Sequence, residues 1–98
     1  MRDRITRGMI QRQLDYLNSI TNSPATPYGK DKDGRLIAHV GNFHLSRAYG
    51  GCCIHRMHNE GGGVSTPIPG VGGHIPMREC YDKLRAFIAG IDFTRNGS

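Results

Sequence analysis

An α+β fold follows from three features of the sequence. An apolar stripe at helical spacing lies near each end, the middle is rich in strand formers and turn residues, and a glycine-rich stretch precedes the second stripe. The expected order is an N-terminal helix, a small antiparallel β-sheet, a glycine-rich loop and a C-terminal helix. All lie in one domain over residues 1–98.

Ile5, Met9, Ile10, Leu14, Leu17 and Ile20 recur at spacings of three and four, which predicts a helix over about residues 3–20. Arg4, Arg7 and Arg12 fall off that stripe. "TNSPATPYG" then ends the helix, because two prolines and polar turn formers cannot continue it. Strands are expected within residues 27–66. Asp33-Gly34 in "GKDKDGRL" signals a hairpin through a type I′ turn, which needs positive φ at both central positions. "RLIAHVGNFHLS" reads as two short strands, or one strand with a bulge at Gly41-Asn42. "CCIHRMH" reads as a further strand, with Cys52, Ile54, Arg56 and His58 on one face and Cys53, His55 and Met57 on the other. "NEGGGVSTPIPGVGGHIP" holds six glycines and three prolines in eighteen residues, too many for an ordered element. Such a long loop in a small domain is often functional. Met77, Cys80, Tyr81, Leu84, Phe87, Ile88 and Ile91 predict the last helix, over about residues 76–91. Pro76 suits its first position and Gly90 its C-terminal end.

Ninety-eight residues with 37% hydrophobic and 7% aromatic content build a thin core, so assembly with further copies would add stability. The net charge is +5, from ten arginines and three lysines against eight acids. Arginine's planar fork suits a phosphate or carboxylate partner. No stretch approaches the roughly 18 to 20 apolar residues that span a bilayer. "MRDRITRGMIQRQ" has no apolar run of the kind a secretory signal needs. Three cysteines, two of them adjacent, fit a reduced, cytoplasmic setting.

The ligands for a zinc site are present in number but not in spacing. Structural zinc sites usually separate paired cysteines by two to four residues, whereas Cys52 and Cys53 are neighbours. C-x-x-C is absent, so redox catalysis is not indicated. Nothing orders a cysteine–histidine nucleophile, and Cys80 lies on the core stripe of its helix. A histidine-based nuclease reading of "IHRMHNE" has only Glu60 to balance a metal's charge. No metal, cofactor or catalytic residue is therefore expected.

A phosphate site fits better. "GVGGHIPMRE" sets a glycine-rich loop before a helix whose first turn has unpaired N–H groups, and Arg78 falls in that turn. Neither nucleotide-loop pattern, G-x-x-x-x-G-K-[ST] or G-x-G-x-x-G, is present. Tyr49, followed by Gly50-Gly51, is suited to stacking on a purine. Asn59 is suited to hydrogen-bonding an adenine edge or a ribose hydroxyl.

The runs "GNFHLSRAYGG", "HRMHNEGGGVS" and "RECYDKLRAFIAGI" resemble a family of small phage proteins, the first-described type of Thoeris anti-defence protein. The likeness covers roughly residues 14 to 91, and "AYGG" with "NEGGGVS" is its most specific part. It implies a sponge that sequesters the cyclic ADP-ribose signal of a bacterial TIR enzyme, glycocyclic ADP-ribose, and in some members cyclic trinucleotides. It also implies homo-oligomers, dimers that assemble into hexamers, with ligand at the seam between copies. Carried onto this chain, the ligand-binding residues are Tyr49, Asn59 and Arg78, with Leu84 and Arg85 on the last helix as further candidates. Two departures accompany the likeness. The loop between Asn59 and Arg78 is longer than the family pattern, and "CC" replaces an aromatic and an aliphatic residue.

The expected function is thus non-enzymatic capture of a cyclic adenine nucleotide in the cytoplasm of an infected bacterial host. Neither a membrane nor a nucleic acid is an expected partner. Arg4, Arg7 and Arg12 are candidates for a second anionic site where copies meet. One rival is a small basic phage DNA-binding or host-inhibitor protein, which would bind with steep salt dependence. A metal-dependent nuclease or hydrolase, which would turn its ligand over, is another.

Overall fold

In the first helix, α1 (Arg7–Ile20), Thr6 is the N-cap, and its Oγ1 accepts from the Met9 N–H at 3.2 Å. That cap sets the start four residues later than the apolar stripe alone predicts. This computed structural model describes residues 4–48, 50–68 and 73–95. Ile10, Leu14 and Leu17 are wholly buried, and the Thr21 hydroxyl donates to the Leu17 carbonyl where the helix ends.

The α+β class is as expected, but the strands form two sheets rather than one. β1 (Tyr28–Lys30) and β2 (Leu36–Ala38) make a hairpin, while β3 (Phe43–Ala48), β4 (Gly51–Met57) and β5 (Val64–Ser65) form a three-stranded sheet in that order. Every pairing is antiparallel. The separation occurs at His39–Asn42, where Gly41 takes φ 97° and redirects the chain.

The β1–β2 turn is not type I′. Asp31 Oδ1 accepts from the N–H groups of Asp33 and Arg35 at 2.8 and 3.0 Å, and the Gly34 N–H donates to the Asp31 carbonyl. The aspartate organises a five-residue loop, 31–35, in which only Gly34 has positive φ, 79°.

Asn18 locks α1 to the sheet. It is buried, its Nδ2 donates to the Phe43 carbonyl at 3.1 Å, and its Oδ1 accepts from the Phe43 N–H at 2.8 Å. A buried amide paired on both sides holds the first residue of β3 in one register against the helix.

Strand β4 does not keep the mixed faces its alternation suggests. Cys52, Cys53 and Ile54 are consecutively buried, so this stretch is covered on both faces. Cys52 and Ile54 join the core cluster with Leu14, Leu84 and Ile88. Cys53 pairs across the ladder with Ser46, whose hydroxyl lies 3.3 Å from His74 Nε2. β3 fills one edge of β4. On the other, β5 pairs at Arg56 and Met57, and Ile75 pairs with Cys52. A Cβ on Gly51 would lie 2.8 Å from the Ile75 carbonyl oxygen, so only glycine permits that approach.

The last helix, α2 (Met77–Arg95), begins after Pro76, whose carbonyl accepts from the Cys80 N–H. It continues four residues past the expected end, straight through Gly90. Tertiary contact outweighs the roughly 1 kcal/mol that an interior glycine costs. Beyond Gly90, the Tyr16 hydroxyl donates to Asp92 Oδ2 at 2.7 Å and ties the turn to α1. The described part of the expected glycine loop contains β5, and its Ile68 is buried in the core.

Candidate functional site

Both helices begin at the same end of the three-stranded sheet. α1 runs antiparallel to β3, with Asn18 at Phe43 and Arg7 in a cavity with Arg47. α2 begins two residues after Ile75, which is bonded to Cys52 at the start of β4. The positive poles of two helices therefore lie near the β3–β4 turn.

At that turn a cavity of about 330 Å³ is lined by Arg7, Arg47, Ala48, Gly50 and Gly51. Gly50 takes φ 75°, which a non-glycine residue adopts only with strain. Arg12 folds back along α1, so that its Nη1 would lie 3.7 Å from a Cβ placed on Gly8. The first turn of α1 contains no acidic residue, and no ion pair joins Arg7, Arg12 or Arg47 to a described carboxylate. Cations crowded at a helix N-terminus repel its dipole by a few tenths to 1 kcal/mol each at exposed sites. A bound anion would reverse the sign of that interaction.

A second cavity, of about 450 Å³, runs from the other side of Arg7 and is lined by Gly8, Gln11, Phe43, His44 and Leu45 among others. The two volumes fall within or near the range of small-ligand pockets, about 300 to 1,000 Å³. Arg7 is the wall they share. His44 and His55 meet edge to face, 5.8 Å between centroids, on the sheet face that also carries Ser46. Burial, and then the neighbouring His55, push the His44 pKa down. Burial, and then His74, do the same for His55. These imidazoles are neutral at pH 7.

The expected ligand residues do not converge within one chain. Tyr49 lies outside the described residues, although its neighbours Ala48 and Gly50 line the smaller cavity. Asn59 is at the opposite end of β4, and its Oδ1 accepts from the N–H groups of Gly61 and Gly63, both at 3.0 Å. Six strand steps of about 3.3 Å place that turn about 20 Å from Gly51. Arg78 is half-buried in the first turn of α2, at the Gly51 end. Arg85 is exposed, with its guanidinium 5.7 Å from the Tyr81 ring centre. Leu84 corrects the expectation. It is wholly buried in the core, because it continues the inward Cys80–Leu84–Ile88 row, and it presents nothing to a ligand. Arg4 and Arg12 are exposed near Arg7 in sequence, but the cavity pairs Arg7 with Arg47 instead.

The sequence reading missed Arg47. Its signal was the alternation Phe43–Leu45–Arg47, which ends an otherwise apolar, helix-facing column of β3 on a cation.

Two of the buried thiols are held in the protonated form. Cys80 is pushed up to about 12 by burial and then by Cys52, and burial also raises Cys53. Among the described residues, no group of three His, Cys, Asp or Glu side chains could hold a metal ion. No described helix is long and apolar enough to cross a membrane. On the outer side of α2, an apolar groove of about 640 Å³ is floored by Ile68, Phe87 and Ile91. No protein-family model, curated protein or solved structure matches this chain.

Proposed function

We propose that this protein sequesters a cyclic adenine nucleotide without altering it, and so blocks a bacterial anti-phage signal in the cytoplasm of the infected host. The observation that carries the reading is the cavity at the β3–β4 turn, where Arg7 and Arg47 meet over a glycine floor and no described carboxylate pairs with either. Two guanidinium forks suit a diphosphate or two phosphodiesters. The resemblance to Thoeris anti-defence proteins supplies the ligand class, glycocyclic ADP-ribose or a cyclic trinucleotide. Tyr49, between two lining residues, is the stacking partner in this reading.

Asn59 reaches the same ligand only from a neighbouring copy, because about 20 Å of β4 separates it from the cavity. The reading therefore includes a homo-oligomer with the ligand at its seam. Capture without chemistry agrees with the raised pKa values of the Cys53 and Cys80 thiols.

The test incubates the protein with cyclic ADP-ribose isomers and cyclic trinucleotides, removes free ligand by filtration and heats the protein fraction. Intact nucleotide released on heating supports capture. Degraded nucleotide, or no depletion of any of them, overturns it. Exposed Arg4, Arg7 and Arg12 favour duplex DNA as the rival ligand, and retention of DNA that collapses steeply with salt would take the reading there.

A further inference from the structure

Strand β3 lies at the edge of its sheet, and its outer side carries main-chain groups that the fold leaves unpaired. In an antiparallel ladder, alternate residues turn their N–H and C=O toward the neighbouring strand or away from it. Two contacts fix which residues of β3 face outward. Both main-chain groups of Phe43 are taken by the Asn18 side chain of α1. Cys52, opposite Arg47 in the ladder, gives its N–H and C=O to Ile75 rather than to β3. Phe43, Leu45 and Arg47 therefore turn outward, while His44, Ser46 and Ala48 bond to β4. Asn18 satisfies Phe43, but no described residue bonds the outward N–H or C=O of Leu45 or Arg47. The two cavities follow this edge. Asn42, Phe43, His44 and Leu45 all line the larger, and Arg47 and Ala48 both line the smaller. Consecutive strand residues point to opposite faces, so they share a cavity only along the strand's edge.

We infer that this edge reads the base of the captured nucleotide: the Leu45 carbonyl accepts from the 6-amine of adenine, and the Arg47 N–H donates to the adjoining N1. The inference rests on the reading above, in which the Arg7 and Arg47 side chains hold phosphate, and adds how the base is chosen. A strand edge presents the C=O of one residue and the N–H of the residue two further on side by side. Adenine offers an N–H donor next to a ring-nitrogen acceptor, the complement of that pair. Hypoxanthine and guanine carry a carbonyl at position 6 and an N–H at N1. Acceptor then meets acceptor and donor meets donor, so both edge groups stay unpaired.

Base and phosphate sites adjoin in this arrangement. Arg7 lines both cavities, with Leu45 in the larger and Arg47 in the smaller, so the edge between Leu45 and Arg47 lies where they meet. Tyr49 follows two residues after Arg47 in the sequence, so stacking and edge recognition fall on one base. Arg47 serves through two different parts, its guanidinium toward phosphate and its main-chain N–H toward the base. Because the reading atoms belong to the main chain, changing the side chain does not remove them, and the test varies the ligand.

Equilibrium dialysis of the full chain at pH 7.5 compares ADP, inosine diphosphate and inorganic pyrophosphate, and amide hydrogen exchange followed by NMR examines each complex. ADP should bind at least about tenfold more tightly than inosine diphosphate, the worth of a lost hydrogen bond plus the groups left unpaired. Saturating ADP should slow exchange of the Arg47 amide by about tenfold or more, while pyrophosphate leaves it unchanged. The Ser46 amide, bonded to β4, should respond to neither. Arg47→Gln keeps the main-chain N–H, so it should weaken all three ligands and preserve the ratio of ADP to inosine diphosphate. Equal or tighter binding of inosine diphosphate would overturn the edge recognition and leave the phosphate site standing. So would pyrophosphate slowing the Arg47 amide as much as ADP does, or a ratio that collapses in Arg47→Gln. If none of the three binds the unaltered protein, the phosphate-site reading falls and takes this inference with it.

Discussion

Arg47 and Arg56 lie on the same face of the β3–β4 ladder, at opposite ends, and the structure employs them differently. Arg56 lies over the Phe43 ring, 4.7 Å from its centre, and its Nε donates to the Gly41 carbonyl at 3.2 Å. Around it the Met57 end satisfies its own polar groups. Asn59 takes two glycine N–H groups, and the His58 N–H donates to the Gly63 carbonyl. Arg47 meets a second arginine, a cavity and two glycines. One end of β4 is closed on itself. At the other, Arg7 and Arg47 pair with no described carboxylate. An arginine's type and strand position do not reveal which role it has; its neighbours do.

Three experiments would break or sharpen that contrast. The largest effect on stability is expected at the closed end. Asn59→Ala removes an acceptor from two loop N–H groups and should cost about 1 to 2 kcal/mol in urea denaturation. An unchanged midpoint would mean that this turn does not depend on its asparagine. A smaller effect of opposite sign is expected at the open end. Arg7→Glu puts a negative charge in the first turn of α1 and should gain about 0.5 kcal/mol, while nucleotide retention is lost. A variant that is destabilised yet still retains nucleotide would place the anion elsewhere.

The smallest effect is a pH dependence. His44 and His55 have folded pKa values below 6.5, so the unfolded chain takes up protons first as the pH falls. Their contribution is complete above about 6.5 and declines as the pH drops through that value toward the folded ones. The melting temperature should be lower at pH 5 than at pH 7.5, and His55→Gln should show a shallower decline. A melting temperature that does not fall would show that these rings are not buried in neutral form.

The helices were legible in the sequence because their signal is local. Leu14–Leu17 and Leu84–Ile88 stand at helical spacing, and each pair turns out to be buried. The hairpin was legible for the same reason, though its turn was not. Asp31 looks like any polar loop residue until its carboxylate is seen accepting two N–H groups. What escaped depends on distant partners. Gly90 continues a helix because Tyr16 reaches Asp92, and β4 is buried because Ile75 closes on Cys52. The cavity itself was not legible. Arginine excess and the glycines before Arg78 pointed to an anion, and Gly50-Gly51 to an approach to Tyr49, but the meeting of Arg7 with Arg47 joins residues forty positions apart. The distance of Asn59 from that turn follows from β4 running straight, which residue types alone do not disclose.

The three buried thiols give the molecule an internal clock. Cys52, Cys53 and Cys80 are 0%, 1% and 0% exposed, so an alkylating reagent meets them only when the core opens. Their labelling rate in native buffer counts openings of the junction between β4 and α2, without any added probe. A ligand that binds only the closed form slows that rate in proportion to its own occupancy. Any candidate small molecule can thus be ranked by how far it stops the clock, before its chemistry is known.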